Sequence, residues 1–181
     1  MARVPDSPDD ALSPEQRRIH EEIAGPRGGV VRGPFALWLR NPAIAERANQ
    51  FGNTLRVEGK LDKRLFELTI LAVARHWSAR YEFFAHAKHA IDVGVAPEIV
   101  EAIRTRANPA FAREDEKLIY DLITELNQSH TLSQASYERG IGALGLDLMI
   151  EFVTVAGFYT MVAMMINAFD ALVPGGERVF E

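Results

Sequence analysis

The chain has 181 residues, enough for one domain with a sizeable core, and its 48% hydrophobic and 25% charged residues are ordinary globular proportions. A net charge of −5 without any Lys/Arg block argues against nucleic acid as a partner. With no cysteine, the chain can form neither a disulfide framework nor a thiolate nucleophile.

Met1 to Asp10 is polar, carries Pro5 and Pro8, and lacks the apolar centre of a signal peptide. Residues 1–12 therefore read as a loose tail ahead of a single cytoplasmic domain over 13–181. A first helix is expected from Pro14 to about Ile23, opened by Ser13 with Gln16 at capping-box spacing. Gly25 to Gly29 reads as a loop, and Gly33-Pro34 begins a short helix that ends before Pro42. Helical pattern resumes from Pro42 to about Val57, and Asp62 is a good cap for the next helix.

That helix contains Leu65 to Ala74, a run apolar on nearly every side and so expected to be buried all round. Glu67 interrupts it. A carboxylate in such surroundings costs several kcal/mol, on the order of the penalty for an unpaired buried charge, and therefore needs a partner. The candidates are Arg64 or Lys63 one turn back, which would make Glu67 structural, or His86 from the following helix, which would make it an orienter of the imidazole.

Composition changes abruptly at Arg75-His76-Trp77-Ser78-Ala79-Arg80, where a break is expected, with Ser78 as N-cap and Ala79 as first helical residue. The helix that follows carries Glu82 and His86 four residues apart, on one face, with His89 extending that face. It should run to about Val93 and stop at Gly94, with Pro97 opening another helix. Further helices are expected near 113–127 and 133–143, and no run has the alternation of a strand.

The closing helix, about Leu146 to Ala171, contains Phe152 to Phe169, 18 residues without a charge. That length permits a membrane span. Thr154, Gly157, Tyr159, Thr160 and Asn167 within the run, and Asp147, Glu151 and Asp170 beside it, favour a core helix and no membrane partner. Met161, Met164 and Met165 read as core filler.

From about Leu61 to Ile103 the sequence resembles the carboxymuconolactone decarboxylase family, which includes AhpD-like alkylhydroperoxidases. The resemblance is carried by Glu67 in its apolar helix, the break, His86 in the next helix, and the step Gly94-Val95-Ala96-Pro97-Glu98-Ile99. In the thiol branch a Cys-x-x-Cys precedes the histidine; here those positions are Ala79 and Glu82, so peroxidase chemistry is excluded. The resemblance implies an all-α, AhpD-like fold and a site free of metal and cofactor. It also implies a homo-oligomer, as dimer, trimer or hexamer, a state in which a second copy would cover apolar helix surface.

The substrate implied is a small organic acid or carboxylated lactone. Its decarboxylation leaves an enolate that must be protonated at carbon. Proton transfer falls to His86 or Glu82, and Glu67 orients the imidazole. Tyr81 and His76 are candidates for oxyanion or substrate contacts, and His89 lies on the same face. Arg64, Arg75 and Arg80 are candidates for a substrate carboxylate. Two other readings fit the same residues: a proton-transfer isomerase, and a non-catalytic helical oligomer whose Glu67, Glu82 and His86 form a buried polar network.

Overall fold

The computed structural model describes residues 3, 4 and 12–180. The expected tail, 1–12, lies outside the described residues except for Arg3, Val4 and Leu12. The fold is all-α and AhpD-like, with no strand among the described residues. The chain divides into two compact units, one of 1–59 with 165–172, the other of 60–164 with 173–181.

In the first unit, α1 (Pro14–Ala24), α2 (Pro34–Trp38) and α3 (Pro42–Asn53) each start on proline. Proline suits that position because its fixed φ is helical and its missing N–H has no intrahelical partner there. The Ser13 and Gln16 capping box forms as expected, and the Gln16 side-chain amide also donates to the Leu39 carbonyl at 3.0 Å. Arg18 pairs with Glu22 at 2.6 Å and with Glu46 at 2.7 Å, joining α1 to α3. The expected loop at 25–29 holds a 3-10 turn, Gly25–Arg27, and α3 runs on into a π-helical turn, Thr54–Glu58.

The second unit is built around α4 (Lys63–His76), which packs against α5 (Arg80–Asp92), α6 (Pro97–Thr105) and α7 (Glu114–Ser129). Asp62 caps α4 by accepting from the Arg64 N–H, and Leu65 to Ala74 is buried at every position. Being covered on all sides, α4 needs no polar face. The one hydroxyl in that run, Thr69, donates back to the Leu65 carbonyl at 2.7 Å.

The break before α5 differs from the expectation. Ser78 is not the cap: it sits in the left-handed region at φ 51°, and Ala79 occupies the cap position without a side-chain hydrogen bond. The helix therefore begins at Arg80, one residue later, and still places Glu82 in its first turn. It ends at Asp92, ahead of Gly94 at φ 103°.

The two expected C-terminal helices form one run, α8 (Gln134–Phe169), interrupted at Gly145, whose φ 75° and ψ 168° are not helical. Glu151 accepts the backbone N–H groups of Lys60 at 3.0 Å and Leu61 at 2.9 Å, tying α8 to the start of α4. The apolar window of α8 is long enough for a membrane span by composition, but half of it is buried within the chain, which fits a soluble core helix. After α8, Val179 and Phe180 are buried; Phe180 meets Phe83 edge-on at 5.2 Å and lies under the Arg75 guanidinium at 4.4 Å.

Candidate active site

Glu67 on α4 and Glu82 with His86 on α5 meet inside the second unit. The His86 Nδ1 lies 2.6 Å from Glu67 Oε2, and its Nε2 lies 3.1 Å from Glu82 Oε1. All three side chains are buried, at 6%, 4% and 5% exposure for Glu67, Glu82 and His86. Of the two partners open to Glu67 from sequence, the imidazole is the one it takes.

The arrangement fixes the proton count. A neutral imidazole has one N–H, so one of its nitrogens would face a carboxylate lone pair to lone pair. Two protons shared over the triad remove that repulsion, either as an imidazolium between two carboxylates or as a neutral imidazole accepting from a protonated Glu82. Burial alone pushes the His86 pKa down, but the hydrogen bonds to Glu67 and Glu82 and the charges of both carboxylates override it and raise the pKa to about 9. At neutral pH the imidazole is therefore charged and the triad carries one net negative charge. Glu82 lies in the first turn of α5, where the positive end of the helix dipole offsets part of that charge.

With both ring nitrogens committed to carboxylates, His86 cannot ligate a metal without giving up one of them. No group of three or more His, Asp or Glu among the described residues is arranged to hold a metal ion.

Tyr159 on α8 closes the site over the imidazole. Its ring meets His86 edge-on at 5.3 Å and Phe66 at 5.8 Å, and the residue is buried. Sequence reading passed over it as a site residue; the available signal was a polar-tipped aromatic inside a run free of charge.

The other expected site residues are spread more widely. His89 is exposed, with its ring 5.9 Å from that of His86. Tyr81 is half-buried and Arg80 exposed, both in the first turn of α5 beside Glu82. Arg64 turns away from the triad. Its guanidinium contacts Glu116 at 3.0 Å, Asp62 at 3.3 Å and Asp115 at 3.5 Å, so it clamps α4 to α7 and is not free to take a substrate carboxylate. His76 is nine residues beyond Glu67 on α4, about 13 Å along the axis, and packs edge-on to Trp77. Partial burial, with His130 and Arg106 nearby, holds its pKa below the ordinary value. Arg75 is likewise engaged, donating to the Arg104 carbonyl at 2.8 Å.

Residues 42–116, which include all three triad members, match the model of the carboxymuconolactone decarboxylase family. Over that stretch, about two fifths of the chain, the sequence is similar to the carboxymuconolactone decarboxylase family. The structure is similar to that of an uncharacterized peroxidase-related protein from Silicibacter sp. TM1040, with a TM-score of 0.77 at 19% identity, over 98% of this chain and 95% of that one. At that identity the likeness speaks for the fold alone. No curated protein matches the chain. Within the family frame the absence of cysteine is decisive, because none of this chain's own residues can supply a peroxidatic thiol.

Proposed function

We propose that the protein is a cofactor-independent decarboxylase or closely related lyase acting on a small carboxylated lactone or other organic acid. The observation that carries this reading is the imidazole held between two buried carboxylates, a device that stores a proton at neutral pH and can release it along a fixed line. In the reaction the bond from carbon to carboxylate breaks and carbon dioxide leaves. The electron pair stays behind as an enolate, and a proton from the His86 and Glu82 pair closes the C–H bond. Water then restores the proton. No oxidant or reductant is required. Glu67 holds the ring in place and favours its protonated form; Arg80, Tyr81 and His89, around the same turn and face of α5, are the groups we assign to substrate contact. A soluble, cytoplasmic setting suits such a substrate.

The burial of all three triad groups supports a second reading, a polar network that fixes the packing of α4 against α5 without catalysis. Carbon dioxide release from a panel of carboxylated lactones and related acids separates the two. Release by the parent that falls at least a hundredfold in Glu82→Gln and in His86→Gln, with both variants folded, supports the lyase. Absence of release across the panel, with both variants merely less stable, supports the network.

A further inference from the structure

The outward face of α8 is apolar where none of the described residues covers it. Ile150 is 59% exposed, Val153 41%, Met161 41% and Met164 51%, so the two methionines are not core filler as their composition implies. With Gly157 they lie within an arc of about 80° on one side of the helix, and Phe152, Val155, Ala156, Tyr159 and Val162 fill the other side.

No contact among the described residues requires a glycine at position 157. Gly157 is helical, and a Cβ built on it would meet nothing within 4 Å. A glycine inside a helix is unfavourable relative to alanine, and its usual benefit there is close approach of another backbone. Measured from Gly157, the exposed positions fall at −7, −4, +4 and +7. That spacing is its own mirror image.

We infer that α8 pairs with α8 of a second copy of this chain, antiparallel about a two-fold axis at Gly157, with Val153 against Met161 and Ile150 against Met164 across the axis. Charge favours this orientation. A parallel pair would set Asp147 beside its own copy, whereas the antiparallel pair moves the two to opposite ends of the contact and leaves an uncharged seam between them. The area is of the right order. Four roughly half-exposed large side chains from each copy, with the open helix surface at Gly157 and Leu146, remove about 900 Å2 before any polar rim is counted, and specific interfaces begin near 1,200 Å2 with their rim. Tyr159 lies on the opposite face of the same helix, so the pair would brace the element that covers His86.

Sedimentation of the full chain at micromolar concentration is expected to give a species of twice 20.2 kDa, or an even multiple of it. Ile150→Glu and Met164→Lys should each weaken that association at least a hundredfold while leaving helix content unchanged. The double variant should restore it at low salt, because only an antiparallel register brings the two new charges together. The chain is free of cysteine, so Gly157→Cys should cross-link to its own copy on oxidation and Ile150→Cys should not. A parent that remains at 20.2 kDa as concentration rises overturns the pairing, even if it binds neutral phospholipid vesicles, which would assign the stripe to a lipid surface. A double variant as weak as the singles, or self-cross-linking by Ile150→Cys, overturns the antiparallel register.

Discussion

His86 Nδ1 lies 2.6 Å from Oε2 of Glu67, a contact that locks the imidazole on α5 to the carboxylate buried in α4. The distance is that of a charge-assisted hydrogen bond, and the second carboxylate at Nε2 means that the ring is held from both sides. Rotation of the imidazole would break both contacts at once. The triad thus acts as a strut between α4 and α5 as well as a store for one proton.

Stability should depend on pH through this group. The folded imidazole binds its proton more tightly than the unfolded one, with a pKa raised from 6.5 to about 9. Its contribution is complete below about pH 6.5 and is lost as pH rises to about 9, on the order of 1–3 kcal/mol in all. Urea unfolding between pH 6.5 and 9.5 should show the parent losing this increment while His86→Gln does not. Parallel pH profiles for the two would remove the charged imidazole from the account.

Replacing Tyr159 should unseat the site from above. Tyr159→Ala removes a buried ring in contact with Phe66, Phe158 and His86, and should cost about 3–4 kcal/mol. Tyr159→Phe keeps those ring contacts and should cost less than about 1.5 kcal/mol. Equal losses in denaturant midpoint for the two variants would mean that the ring contacts are not what the residue supplies.

Gly94 tests the clamp on the far side of α4. Its φ of 103° is a conformation that residues with a Cβ rarely adopt, and a Cβ there would come within 3.3 Å of Arg64 Cδ. Arg64 is held by Glu116, Asp62 and Asp115 and has little room to withdraw. Gly94→Ala should therefore destabilise by roughly 1–3 kcal/mol in thermal or urea unfolding. A neutral or stabilising effect would show that this turn relaxes freely.

Much of this was legible before the structure. Leu65 to Ala74 announces a buried helix because no side of it is polar, and Glu67 then demands a partner. The spacing of Glu82 and His86 places both on one face, so two of the three triad groups follow from helix geometry alone. Contacts between helices distant in sequence were less readable. Arg64 finds Glu116 on α7 and not its near neighbour Glu67, and Tyr159 reaches His86 from α8, because packing and not chain proximity sets those pairs. Ser78 has the chemistry of a cap, but the tight turn after α4 puts it in the left-handed region and leaves the cap to Ala79. Met161 and Met164 read as core by composition alone; only the orientation of α8 shows that they face outward.

The account turns on the charge of His86, and nitrogen-15 NMR of histidine-labelled protein reads it directly. Both ring nitrogens should carry protons at pH 7.5, with a midpoint near 9 that falls by at least one unit in Glu67→Gln. A neutral His86 at pH 7.5, with a midpoint at or below 6.5 that is indifferent to Glu67→Gln, would contradict it.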